Sequence, residues 1–377
     1  MKTSIRFINH ASVLISNSSS GLLCDPWYSG HAFNKGWNLL YENETKEINE
    51  ILDLTNYIWI SHEHPDHFSI KFFKEFGNKI KQNKIIIMFQ NTKDKRVLSF
   101  LKKSGFEVKE LEFNNKIIID SNFIFTCIKD GNYDSGLLIE SENEKILNLN
   151  DCVVRSKDRA KEIHKITGDI DILLTQFSYA AWKGGKRNLA WRQKAAQEKI
   201  EHIQLQIDYL RPKYIIPFAS YIYFSNEDNK YLNDSVNTPE TTYKELSANN
   251  CKVLVMKPGD VLGGENENYC TESSIIFWDN IFKSINNLNY NTFNTIDFEV
   301  LQEKFKSYRK RIINNNKLYF MKIARFLSPI KIFYPITIGL DDLSITIKID
   351  YVNNKFQKSN EPSMIHMHSE SLAFILD

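Results

Sequence analysis

The chain has 377 residues, 42% of them hydrophobic and 13% aromatic, enough apolar content to pack one large or two ordinary domains. Its 48 basic and 46 acidic residues leave a formal net charge of +2, so neither nucleic acid nor a membrane is expected as a partner. Five scattered cysteines with no C-x-x-C pair argue against a thiolate zinc site and a disulfide framework, while the lack of a basic-then-apolar leader and of any apolar run near roughly 18 residues makes the cytoplasm the expected location.

In chain order, residues 4–8, 11–15 and 21–24 read as three short strands, with Ser18-Ser19-Ser20-Gly21 as a turn and Asp25-Pro26-Trp27 closing the third. Tyr57-Ile58-Trp59-Ile60 is a buried strand: short, apolar, β-branched and aromatic. Residues 69–77 read as a helix with Ser69 as N-cap and Ile70, Phe72, Phe73 and Phe76 turned inward. A strand over 84–89 and a helix over 91–104 follow, the helix stopped by Gly105. Strand patterns run through 106–111, 116–119, 123–128, 136–140 and 145–149. Helices at 155–165 and 190–210 then alternate with strands at 171–174, 214–217 and 252–256. Strands in succession, then in alternation with helices, suit two packed sheets flanked by helices. A Gly- and Asn-rich stretch, 258–268, reads as a boundary, followed by an amphipathic helix over 297–312 and strands over 342–351.

The densest chemistry lies just after the buried strand, in Ser61-His62-Glu63-His64-Pro65-Asp66-His67-Phe68. The chain has nine histidines, and three of them fall within six positions here. Imidazole nitrogen and carboxylate oxygen suit zinc, iron or manganese without any thiolate. Pro65 biases His64 away from helix, so the run forms a shaped turn. Asp151 follows the strand at 145–149 and can reach the same sheet edge.

The pattern His62-x-His64-x-Asp66-His67 resembles the signature of the metallo-β-lactamase superfamily. There the first two histidines hold one metal and the Asp-His pair a second. The resemblance implies His62 and His64 on metal one, Asp66 and His67 on metal two, and Asp151 as the bridging carboxylate. A wider set recurs in one order: Asn9-His10-Ala11-Ser12, Asp25-Pro26-Trp27, Gly36-Trp37-x-Leu39-Leu40, Asp130-Gly131, Lys145-Ile146-Leu147-Asn148, Asp151-Cys152, Pro217-Phe218-Ala219-x-Tyr221 and Pro258-Gly259. It resembles the lactamase-like module of CMP-N-acetylneuraminate hydroxylases. The implied fold is an αββα four-layer sandwich over 1–262, with a smaller α+β module over 271–377 like the hydroxylase tail.

Two histidines of the hydrolytic members are missing. Before 136–140 the chain reads Asp130-Gly131-Asn132-Tyr133-Asp134-Ser135, and after 214–217 it reads Phe218-Ala219-Ser220-Tyr221. Asp134 or Asp130 is the expected oxygen substitute, and His10 and His31 are candidate recruits. An oxygen-richer site favours iron or manganese. Asp25 is the expected carboxylate behind a metal-bound histidine. The basic loop Lys183-Gly184-Gly185-Lys186-Arg187 and Tyr221 are candidate contacts for an anionic substrate. The Rieske centre of the hydroxylases needs two Cys-x-His pairs, and this chain has none. The leading expectation is an iron-dependent oxygenase acting on a nucleotide-linked or amino sugar, with one or two transition-metal ions (Fe, Zn or Mn) and a separate electron-transfer protein. The alternatives are a dinuclear hydrolase of phosphodiesters, lactones or amides, with Asp66 or Asp151 orienting a metal-activated water, and a non-catalytic binding scaffold.

Overall fold

The structure, a computed structural model, describes residues 3–120, 122–247 and 251–377. It divides into two compact units, Met1–Tyr290 and Asn291–Asp377.

The first unit opens with β1 (Ser4–Asn9), β2 (Ser12–Ser16), β3 (Gly21–Cys24), β4 (Trp37–Leu39), β5 (Tyr57–Ile60), β6 (Ile86–Gln90) and β7 (Val108–Leu111). It continues with β8 (Lys116–Asp120), β9 (Phe123–Asp130), β10 (Asp134–Ser141), β11 (Glu144–Asn150), β12 (Ile172–Gln176) and β13 (Tyr214–Phe218). The short strands β14 (Ile222–Phe224), β15 (Lys252–Val253) and β16 (Val261–Gly263) complete it. Two seven-stranded sheets result, in the orders β16-β1-β2-β3-β5-β6-β7 and β15-β13-β12-β11-β10-β9-β8, while β4 and β14 pair separately.

Strand periodicity sets the layers. Successive side chains point to opposite faces, so Cys24 and Trp59 enter the core between the sheets while Leu23, Ile58 and Ile60 face the other way. The inter-sheet core joins Phe7, Val13, Leu22 and Met88 to Phe125, Leu137, Ile146, Leu174 and Ile215. Helices Thr45–Asp53, Ile70–Glu75 and Arg96–Lys103 cover the outer face of the first sheet through Ile51, Phe72 and Leu98. Helices Lys157–Thr167 and Leu189–Leu210 cover the second through Ile163 and Leu210. The section is therefore helix, sheet, sheet, helix, the four-layer arrangement expected from the sequence.

Several local expectations shift by a few residues. Ser69 caps its helix by accepting from Phe72 N at 3.2 Å, but that helix breaks at Phe76 and a second begins at Gly77. The stretch 258–268 is not a free linker. Within it, Val261–Gly263 pairs antiparallel with Ser4–Arg6, and the helix beyond it, Thr271–Ser284, sinks Trp278 into the inter-sheet core, where its Nε1 donates to Met256 O at 2.8 Å. The division between the units accordingly falls after Tyr290.

The second unit is a four-stranded sheet of β17 (Ile336–Leu340), β18 (Ile345–Asp350), β19 (Lys355–Ser359) and β20 (Ile365–Met367), ordered β19-β18-β17-β20. Leu301 and Phe305 of helix Phe298–Asn316, with Leu372 and Leu376 of helix Ser369–Leu376, close its core over Ile338, Ile347 and Ile349.

Candidate metal centre

The side chains singled out by the sequence come from one end of the sandwich. His10 follows β1, Asp25 follows β3, the 61–67 run follows β5, Asp151 follows β11, and Asp134 begins β10. The backbone bends sharply at these exits. His10, Asp25, Asn150 and Ala219 all have positive φ, at 30°, 38°, 37° and 48°. Non-glycine residues pay a steric penalty in that region, and such strain clusters where a fold fixes functional groups. The bends are tied together, because Ala219 N donates to His10 O at 2.9 Å.

Three overlapping groups of ligand-type atoms form there among the described residues: His10 with Asp66 and His67, His62 with His64 and Asp134, and His62 with His67 and Asp151, the atoms of each group lying within 4.8 Å of one another. His10 Nε2 and His67 Nε2 lie 3.4 Å and 3.3 Å from Asp66 Oδ2. His67 Nε2 lies 3.5 Å from Asp151 Oδ2. On the other side, His62 Nε2 is 2.8 Å from His64 Nδ1 and 3.9 Å from Asp134 Oδ1. His67 and Asp151 thus stand between the two outer groups.

Behind the cluster, the backs of the rings are fixed. His67 Nδ1 lies 2.9 Å from Asp25 Oδ2. The carboxylate of Asp25 is held by Ser61 N and Ser61 Oγ, each at 2.7 Å, and Ser61 Oγ also lies 2.9 Å from His62 Nδ1. The Ser61 carbonyl accepts from Ser135 Oγ at 2.7 Å and Gln90 Nε2 at 2.9 Å. These bonds leave the Nε2 atoms of His62 and His67 pointing into the cluster, the arrangement that orients imidazoles toward a metal.

The electrostatics call for a cation. Burial alone would lower His67, yet the carboxylates of Asp66, Asp151 and Asp25 hold its imidazole well above the ordinary range. Burial lowers the neighbouring His62, keeping it neutral. Burial pushes Asp134 up to about 6, with His64 opposing. Both ring nitrogens of His10, Asp66 Oδ1 and His67 Nε2 are buried without a hydrogen-bond partner among the described residues. Buried polar atoms are normally paired, and this donor set of imidazoles and carboxylates fits one or two transition-metal ions.

The cluster opens into a cavity of about 730 Å³ bordered by His64, Asp134 and Asp151. Phe33, Trp37, Tyr179 and Trp182 supply aromatic walls, and Arg155, Lys183 and Lys199 supply basic groups beside Glu198 and His202. Lys199 Nζ donates to Gln176 Oε1, and Gln176 Nε2 donates to Asp151 Oδ1 at 2.7 Å. Sequence reasoning missed Gln176, Lys199 and Arg155. Lys199 sits inside a polar helix pattern, and nothing local separates it from its solvated neighbours.

Other expectations fail on geometry. Tyr221 cannot contact substrate, because it is fully buried against Trp278 and Phe177 with its hydroxyl donating to Pro217 O at 3.2 Å. His31 is exposed, with Nδ1 2.5 Å from Asn38 Oδ1, and belongs to none of the three groups. Of the basic loop only Lys183 borders the cavity. Lys186 and Arg187 are exposed elsewhere, the Lys186 carbonyl accepting from Arg192.

The model of the Beta-lactamase superfamily domain matches residues 4–219, more than half of the chain. The cytidine monophosphate-N-acetylneuraminic acid hydroxylase of Danio rerio is 26% identical over 247 residues, 61% of this chain and 40% of that protein. The hydroxylase of the same description from Cricetulus griseus is 26% identical over 271 residues, 67% of this chain and 46% of that protein. The chain therefore spans less than half the length of these relatives. Among solved structures, CmlA, a diiron β-hydroxylase from Streptomyces venezuelae, superposes with a TM-score of 0.51 at 12% identity over 69% of this chain and 54% of that one. A possible metal-dependent hydrolase from Veillonella parvula gives 0.52 at 15% identity over 70% and 99%. At such identity these two likenesses speak to the fold, which is that of the metallo-β-lactamases.

Proposed function

We propose, from the premise that the chain belongs to the Beta-lactamase superfamily domain family, that it is a metal-dependent hydroxylase of a small anionic substrate, a nucleotide-linked sugar by chemical class. The observation that carries this reading is the donor set. His62, His64 and Asp134 would hold one ion, His10, Asp66 and His67 a second, and Asp151 would reach both. Asp134 and His10 stand in for the two missing histidines, so the set is richer in oxygen than an imidazole-rich zinc pair, and harder donors favour iron or manganese. The hydroxylase relatives add the substrate class.

A bound iron pair would supply the redox chemistry. The chain's own groups bind and orient. Arg155, Lys183 and Lys199 would meet a phosphate or carboxylate, and Trp182, which is exposed, would stack a ring. The cavity has the size of a small-molecule site. Through Gln176, Lys199 also fixes the Asp151 carboxylate. Hydroxylation puts one oxygen atom of O2 into the substrate and reduces the other to water, so two electrons and two protons must enter from a donor. A separate electron-transfer protein would provide the electrons.

The test is metal content by elemental analysis of protein purified without added zinc or chelator, paired with a hydroxylation assay on CMP-N-acetylneuraminate under a chemical reductant. About two irons per chain and reductant-dependent product would support the reading. Two zincs with phosphodiester or lactone cleavage would replace it with the hydrolase. That second reading rests on the same cluster, since a metal pair equally activates water.

A pH dependence follows from Lys199. Burial lowers its ammonium to about 8, Lys183 and Arg155 adding to the effect and Asp151 opposing it. Below that value the charge is present and attracts an anion; above it the charge is lost. Affinity for cytidine monophosphate, measured by calorimetry, should therefore fall as pH rises through about 8. Lys199→Gln should weaken binding by about tenfold at neutral pH and flatten the profile. An unchanged profile in the variant would remove Lys199 from the site.

A further inference from the structure

The second unit carries a surface that its own core does not use. In helix Leu318–Leu327 the one buried residue is Met321. Tyr319, Phe320, Phe326 and Leu327 recur at i, i+1, i+7 and i+8, which places them on one face. That face would be the inward stripe of an ordinary surface helix. Here it points to solvent, with Phe320 60% and Phe326 88% exposed, and Ile330 and Phe333, which follow the helix in sequence, are exposed too. Contiguous apolar exposure of this kind marks an interaction surface.

The stretch of sequence that carries it has charge of one sign. Between Glu303 and Asp341 every charged residue is basic, a concentration that the whole-chain balance of +2 conceals. The arginines are engaged within the unit: Arg309 Nε donates to Tyr351 O at 2.7 Å, Arg311 to the carbonyls of Leu376 and Asp377, and Arg325 to Asp350 at 3.0 Å. Lys310, Lys317, Lys322 and Lys331 are exposed and make no ion pair among the described residues. The cations left over are thus lysines, which are depleted at protein–protein interfaces. On a lipid surface their long stems lie along the apolar boundary while the ammonium groups meet headgroups.

We propose that this face, with Phe320, Phe326 and Leu327 as its apolar contacts and Lys317, Lys322 and Lys331 as its charges, seats the second unit on an anionic lipid surface. The helix would lie in the interface and not cross it. No helix among the described residues is long and apolar enough to span a membrane, and this one is amphipathic, as interfacial helices are. The proposal is independent of the metal centre and its chemistry.

Sedimentation of the full chain with lipid vesicles tests it. The chain should pellet with phosphatidylcholine vesicles containing roughly one-third phosphatidylglycerol and stay in solution with phosphatidylcholine alone, and salt should release it. Two double variants probe the two components, F320S/F326S and K322E/K331E. Each should lower vesicle affinity by about tenfold or more while the melting temperature stays put, because all four side chains are exposed. Failure of the wild-type chain to bind, equal binding to neutral vesicles, or unaltered binding by both variants would overturn the proposal. A dimer by light scattering that F320S/F326S abolishes, with no vesicle binding, would assign the face to a second copy of the chain instead.

Discussion

Asp66→Ala should strip an ion from the centre. The purified variant should lose at least one metal per chain by elemental analysis, and catalytic turnover should fall by about three orders of magnitude, the scale seen when one member of a cooperating catalytic set is removed. The reason lies in its position. Asp66 Oδ2 stands within 3.4 Å of both His10 Nε2 and His67 Nε2, and the side chain is buried. Removing it leaves two imidazoles facing each other with no anionic donor between them. Folding should survive, because the cluster sits at the strand exits and not within either hydrophobic core. His67 carries the pH signature of the change. Its raised pKa depends on Asp66 first among the three carboxylates. A group with a raised folded-state pKa stabilises the fold at low pH and loses that contribution as pH rises through the folded value. In the metal-free variant that low-pH stabilisation should shrink, read as a melting-temperature profile flatter than that of metal-free wild type. Full metal content in Asp66→Ala would sink the assignment.

What could be read from the chain, and what could not, follows from sequence distance. His62, His64, Asp66 and His67 occupy one turn, so their proximity needs no tertiary knowledge, and the apolar strand before them supplies the sheet edge. Asp25 and Asp151 were legible as residues at strand exits and through the family resemblance. The layers were legible because alternate residues such as Leu23 and Cys24 are apolar on both faces, which requires cover on both sides. Gln176, Lys199 and Arg155 were not legible. They come from a strand end, a helix interior and a loop, and only the packing of helix Leu189–Leu210 beside the second sheet brings them to one cavity wall. Tyr221 misled for the converse reason. A tyrosine near a strand exit looks available, and nothing local reveals that Trp278, more than fifty positions later, stacks on it. The 258–268 stretch misled because its glycines serve an edge strand and its flanking turns, not a linker.

His10→Ala should separate the two halves of the centre, and it is the sharper test of how this chain departs from the hydrolytic pattern. His10 lies some fifty residues before the histidine run and enters the site because β1 ends in a strained bend, φ 30°, whose carbonyl is bonded by Ala219 N. Ala219 belongs to the segment where the hydrolytic members carry their last histidine. The first sheet's His10 is thus tied through its backbone to that segment of the second sheet. If His10 completes the group with Asp66 and His67, its loss should remove one ion and leave the other, held by His62, His64 and Asp134 with Asp151. Metal content should fall from about two per chain to about one, and reductant-dependent hydroxylation should drop by about a hundredfold or more, since a paired centre acts as a unit. Alanine leaves the backbone bend intact, including the bond that His10 N donates to Asn9 Oδ1, which does not involve the ring, so the melting temperature of the metal-free protein should move little. Two metals retained in His10→Ala would mean that the buried ring nitrogens, which make no hydrogen bond among the described residues, have another role, and the second ion would then need a ligand from outside these residues.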